Sequence, residues 1–137
     1  MLTLVACAAG KLAHPAPARD LYDSQLYRAS RTYAERMGAP WYILSAKHGL
    51  LHPDTVVEPY DVTLNTMTRA ERIQWSARVI NTLVSAHFEP QEVVLLAGRA
   101  YREHLTVYLE QFGFTPVIPM LGLGIGQQLA YLKERNA

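Results

Sequence analysis

Two kinds of apolar run share this 137-residue chain. Thr3-Leu4-Val5-Ala6-Cys7, Trp41-Tyr42-Ile43-Leu44-Ser45 and Val93-Val94-Leu95-Leu96-Ala97 are short and nearly continuous. They lack the apolar-polar alternation of a half-exposed strand, so they predict strands covered on both faces. Thr115-Pro116-Val117-Ile118 predicts a fourth strand, which Pro116 confines to a sheet edge or a strand start. Between these runs, apolar residues recur at helical spacing. Leu26, Ala29, Tyr33 and Met37 mark the inner face of one helix, with Asp20 or Ser24 as its cap and Gly38 as a left-handed stop. Thr68-Arg69-Ala70-Glu71 matches a capping box ahead of Ile73, Ala77, Ile80, Val84 and His87. Tyr101, Leu105, Tyr108 and Phe112 predict a third helix reaching Gly113, and Leu129 and Leu132 a closing one.

The remaining stretches are loops. Pro15 and Pro17 exclude regular helix over 12–19, and Pro53 and Pro59 leave 50–65 irregular, with Val56-Val57 as a short extended piece. A connection of about 16 residues exceeds the usual length and marks a candidate binding loop. The order β-α-β-loop-α-β-α-β-α predicts a single α/β domain over residues 1–137. The expected architecture is a three-layer sandwich whose mainly parallel sheet has about four or five strands, with helices on both faces and right-handed crossovers.

Composition narrows the function classes. Thirteen basic residues face 12 acidic ones, so the chain lacks the global positive charge of a long-duplex DNA binder, and any nucleic-acid contact must be local. A single cysteine, Cys7, excludes an intrachain disulfide and a multi-cysteine zinc site. No apolar run reaches the roughly 20 residues needed to span a bilayer, and the first residues lack the basic start of a signal peptide. A soluble, cytoplasmic protein without membrane contact is expected; its oligomeric state is left open.

Candidate chemistry gathers just past the strands, where ligands bind in open α/β sheets. Lys11 follows the first strand in a Cys-x-x-x-Lys turn; desolvated, its amine is a nucleophile or base, and charged, it clamps a phosphate or carboxylate. Cys7 is either a reactive thiol supported by a nearby lysine or an inert packing residue. Ser45, Lys47 and His48 combine a hydroxyl, an amine and an imidazole before Gly49, a set suited to proton transfer or to holding an anion, or to a plain polar turn. These five are the candidate catalytic residues. On the long loop, Asp54, Glu58, Tyr60 and Asp61 are candidates either for recognising ribose hydroxyls or a base edge or for ordering the loop, and Tyr60 after Pro59 is the best stacking platform among them. Gly98 and Arg99 open a helix after the third strand, a place that favours anions. Gly124, Gly126 and Gln127 open the last helix, but the glycine series is neither a dinucleotide fingerprint nor a P-loop. His48 and His52 are four apart, yet Gly49 and Pro53 argue against a helical metal pair, so no metal and no cofactor is expected.

Five segments together carry a resemblance: Cys7-x-x-x-Lys11, Leu21-Tyr22-Asp23-Ser24, Ser45-Ala46-Lys47-His48-Gly49-Leu50, Pro59-Tyr60-Asp61 and Gly124-Ile125-Gly126-Gln127-Gln128-Leu129. They resemble a small uncharacterised bacterial and phage domain family, itself similar to YaaA-type peroxide-stress proteins and to the Cys-x-x-x-Lys domain of archaeosine synthase. In archaeosine synthase that element continues with Pro-Tyr, Ser and His, and the enzyme modifies a deazaguanine base in tRNA. Here Leu12-Ala13 stand in place of Pro-Tyr, and Tyr22-Asp23-Ser24 follow after an insertion. The resemblance implies a Lys-centred pocket, with Ser24 among its substrate-binding residues, and the YaaA likeness implies a role in DNA-linked oxidative stress.

The leading expectation is an enzyme acting on a nucleobase, a nucleotide or a modified base in nucleic acid. A non-catalytic nucleic-acid-binding or stress-protective domain is the alternative, using Lys11, Lys47, Arg99 and Arg102 as a positive patch with Tyr60 stacking. A redox sensor at Cys7 is a third reading.

Overall fold

The structure, a computed structural model, describes all 137 residues. Strand β1 (Leu2–Ala6) leads into a two-residue strand β2 (Ala16–Pro17), a single-turn helix α1 (Ala18–Leu21) and helix α2 (Gln25–Arg36). Strands β3 (Trp41–Ser45), β4 (Gly49–Leu51) and β5 (Val56–Val57) follow, then a 3-10 turn at Leu64–Thr66 and helix α3 (Arg69–Ser85). Strand β6 (Glu92–Leu96), helices α4 (Arg99–Arg102) and α5 (Leu105–Gln111), strand β7 (Thr115–Val117) and helix α6 (Ile125–Asn136) complete the chain.

Five strands form one sheet in the order β4-β3-β1-β6-β7, with β4 the antiparallel edge and the rest parallel. This is the expected three-layer α/β sandwich. β1 is central, with Leu4 beside Tyr42 on one side and Leu95 on the other. Its residues alternate between two cores, which explains the unbroken apolar run. Leu2 and Leu4 point to one face with Leu44, Trp75, Val79, Leu105 and Leu109. Val5 points to the other with Ile43, Leu96, Leu21, Tyr27, Ala34 and Leu132. Helices α3, α4 and α5 therefore cover the first face, and α1, α2 and α6 the second. Pro116 lies on an edge strand, where its missing N–H costs no ladder bond.

The chain leaves β1 to build β3 on one side and later returns to build β6 on the other. The carboxyl ends of β1 and β6 are thus the topological switch point, the place where crossovers diverge to opposite faces and open a crevice.

Four local expectations need correction. Helix α2 is turned by about one residue: Tyr27, Ser30 and Ala34 are buried against the sheet, whereas Leu26, Ala29, Tyr33 and Met37 are only half-buried. A stripe read from apolar residues alone missed Ser30 because a serine sits on the buried side. Helix α3 has the Thr68–Glu71 capping box, but its buried face is Trp75, Ser76, Val79, Ile80 and Leu83, while Val84 and His87 are exposed. The helix expected from Tyr101 to Phe112 is two pieces broken at Glu103-His104, with Tyr101, Leu105 and Leu109 buried and Phe112 exposed. The stretches 12–19 and 50–65 are not wholly irregular. The first contains β2 and the start of α1; the second finishes β4, which hydrogen-bonds to β3, and adds β5, which pairs with β2.

Candidate functional site

Two regions of different character lie beyond the carboxyl ends of the strands. The first is built around Tyr60. Its hydroxyl lies 2.7 Å from that of Tyr22 and 2.7 Å from Ser45 Oγ. Ser45 is fully buried; its Oγ also accepts from the His48 backbone N–H at 3.0 Å, and its carbonyl accepts from the Trp75 indole N–H at 2.9 Å. The Lys11 ammonium stands 4.4 Å from the Tyr60 ring centre and donates to the carbonyls of Ala8 and Ala9 at 3.0 and 3.1 Å. Lys47 approaches the same ring at 5.9 Å, and the His48 ring meets it edge-on at 5.5 Å. The amine at position 11 and the Ser45-Lys47-His48 turn, distant in sequence, therefore converge on one tyrosine.

Backbone constraints make this convergence possible. Lys11 bridges to Tyr22, and Asp23 N–H donates to the Gly10 carbonyl at 2.8 Å. A Cβ on Gly10 would sit 2.5 Å from the Asp23 carbonyl oxygen, so only glycine lets the two segments approach this closely. At Gly49 the backbone takes a φ of +70°, which turns β3 back into β4 and leaves Lys47 and His48 exposed at the tip.

Burial pushes the phenols of Tyr60, Tyr22 and Tyr101 up from their ordinary value, and the nearby Cys7 adds to the rise in all three. They are neutral hydroxyls at physiological pH. His48 is pushed below its usual value, first by partial burial and then by the charges of Lys47 and Arg78.

The second region is a crevice of about 460 Å³ at the switch point. The turn after β1 (Cys7 to Gly10) forms one wall and Ala97 to Tyr101 after β6 the opposite one; Ser24, Leu26, Tyr27 and Ser30 from the start of α2, with Met120, Ile125 and Gln128, close it. Cys7 Sγ lies 3.3 Å from the Tyr101 hydroxyl. No aspartate or glutamate lines the crevice, and Arg99, 79% exposed in its side chain, is the one charged residue on its wall. The two regions share a partition, because Ala8 and Ala9 line the crevice while their carbonyls hold Lys11 on the tyrosine side.

The sequence candidates distribute unevenly over this geometry. Lys11, Ser45, Lys47, His48 and Tyr60 form the tyrosine cluster; Cys7, Ser24, Gly98 and Arg99 line the crevice. Ser24 also caps α2, accepting from Tyr27 N–H at 3.0 Å. Asp61 is exposed and belongs to neither region. Gly124, Gly126 and Gln127 lie at the start of α6 outside the crevice, and Gln127 folds back to accept from Gly124 N–H at 3.0 Å; its neighbour Gln128 reaches the crevice instead. Tyr22, Ser30, Tyr101 and Gln128 are not among the candidate site residues, although Tyr22 and Gln128 fall within the segments that carry the resemblance. For Tyr101 the signal was a phenol two residues into a helix that starts at a strand end. No group of three or more His, Cys, Asp or Glu side chains is gathered as metal ligands, and no helix is long and apolar enough to cross a membrane.

Fold and crevice thus define a three-layer α/β domain with a ligand-sized opening at its switch point. Within that class, the chain belongs to a family of unknown function (DUF6884), whose model matches residues 2–134. It is 34% identical over 121 residues to the uncharacterized protein YfjM of Bacillus subtilis (strain 168), an alignment covering 79% of this chain and 76% of that protein. No solved structure matches the chain.

Proposed function

We propose that the chain is an enzyme that binds a nucleotide, or a modified base carried in nucleic acid, in the crevice between β1 and β6. The crevice itself carries this reading. Its volume suits a small ligand, its walls are mostly apolar, it has no carboxylate to repel a phosphate, and Arg99 stands at its side. Cys7 and Tyr101 supply the chemistry-bearing groups on its wall, and the likeness of Cys7-x-x-x-Lys11 to the opening motif of archaeosine synthase supports a base as the ligand. Lys11 supports this reading from the far side of the partition: the Ala8 and Ala9 carbonyls and the Tyr60 ring hold its ammonium, which fixes the turn that forms one crevice wall.

The test is a thermal-shift and turnover series with AMP, GMP, CMP, UMP and short single-stranded oligonucleotides. Wild type should be stabilised by at least one of them, and Arg99→Ala should weaken that effect about tenfold, the size of a lost charge-assisted hydrogen bond. No shift with any compound would reject the proposal.

A second reading, non-catalytic nucleic-acid binding, draws on one observation: Lys11 and Lys47 both lie within 6 Å of the Tyr60 ring. Salt separates the two, because a surface that neutralises several phosphates loses affinity steeply as salt rises, whereas a single nucleotide in a crevice does not.

A further inference from the structure

Two uncharged polar side chains on the crevice wall make no bond to the protein, the exposed Asn65 and the buried Ser30. Ser30 lies in α2, is 3% exposed and forms part of the crevice wall. A hydroxyl inside a helix commonly closes onto the carbonyl four residues back. Thr32 does so onto Arg28 at 3.0 Å, and Thr82 onto Arg78 at 2.9 Å. Ser30 makes no such bond, and its Oγ has no other protein partner.

Its neighbours differ. Ser24 Oγ accepts from Tyr27 N–H, the Tyr27 hydroxyl donates to the Arg19 carbonyl at 2.9 Å, the Tyr101 hydroxyl meets Cys7 Sγ, and Gln128 Nε2 donates to the Leu123 carbonyl at 2.9 Å. The side-chain polar atoms closed off without a partner are Ser76 Oγ, His104 Nε2 and Asn136 Oδ1; Ser30 Oγ is not among them and stays open to the crevice. The Ser30 hydroxyl is thus presented to whatever enters the crevice.

The surroundings define that ligand. A hydroxyl both donates and accepts, and here it is set among Leu26, Ala97 and Met120, with no carboxylate to hold a cation. A flat, uncharged ring with a polar edge satisfies these conditions: its faces lie on the apolar walls and its edge meets the hydroxyl. We infer that Ser30 is a specificity-determining residue that reads the polar edge of a nucleobase ring in the crevice, leaving the phosphate to Arg99. This rests on the nucleotide reading above and adds which part of the ligand goes deepest.

Calorimetric titration of wild type, Ser30→Ala and Ser30→Cys with AMP, GMP, CMP, UMP and ribose 5-phosphate tests it. The preferred nucleotide should bind Ser30→Ala about tenfold more weakly, while ribose 5-phosphate, which lacks a base, binds all three proteins alike. Ser30→Cys, a poorer hydrogen-bonding isostere, should fall between. Equal nucleotide affinity in wild type and Ser30→Ala overturns the role of Ser30 and leaves the crevice reading standing. A parallel loss of ribose 5-phosphate binding also overturns it, because the serine would then act on the phosphate end or on the fold. If no nucleotide binds wild type, both readings fall.

Discussion

The tyrosine cluster and the crevice sit on opposite sides of the same short turn, yet their polar groups are used in different ways. Around Tyr60 the hydroxyls of Tyr22, Tyr60 and Ser45 bond to one another, and the Lys11 amine is held by two carbonyls and a ring. In the crevice Ser30 is free and Arg99 projects outward. A region whose polar groups are mutually satisfied contributes to stability and rigidity. One that keeps an unpaired group in an apolar wall is prepared for a ligand. Chemically rich residues are thus a poor guide to where binding happens unless one asks what they already touch.

The contrast breaks most severely at the turn both regions share. Gly10→Ala should destabilise the protein by about 2–3 kcal/mol, the usual result of forcing backbone apart, and should impair nucleotide binding as well; denaturant unfolding with the titration above would show both. Next in size is Tyr60→Phe. Removing its hydroxyl leaves Tyr22 and Ser45 each short of a partner, and a loss of about 1–3 kcal/mol is expected. Nucleotide affinity should stay close to wild type, because Tyr60 is not among the residues that line the crevice. Arg99→Ala should do the reverse, with stability within about 0.5 kcal/mol of wild type, as for exposed positions, and nucleotide binding reduced.

The smallest effect concerns pH. His48 has a folded-state pKa below its unfolded value, so the unfolded chain binds the proton more readily. The resulting stability is present above the ordinary histidine value near 6.5 and is lost as pH falls through the lower folded value. Melting curves between pH 7.5 and 5 should therefore fall slightly less for His48→Gln than for wild type.

How much of this could be read from the sequence depends on which forces fix each part. The buried strands were legible because β1, β3 and β6 are covered on both faces and must be apolar throughout. The capping box at Thr68 and the stop at Gly38 were legible because each is a local backbone requirement. The orientations of α2 and α3 were not, since Ser30 and Ser76 occupy buried positions that an apolar stripe omits. Strand β4 was hidden because only its pairing with β3 makes Gly49-Leu50-Leu51 extended. At the site, Lys11 and the Ser45-Lys47-His48 turn were found from their places at strand ends, but nothing local says that Tyr60, on a long loop, joins them. Ser30 had no signal at all: its meaning lies in a bond it does not make.

The most direct measurement is a titration of uniformly 15N-labelled protein with AMP, GMP, CMP and UMP, followed by amide chemical shifts. The nucleotide that binds should move the amides of Ala8, Ala9, Gly10, Ser30, Gly98 and Tyr101 and leave those of Lys47, His48 and Gly49 nearly still. Shifts confined to residues 47–61, or none with any of the four, would contradict binding in the crevice.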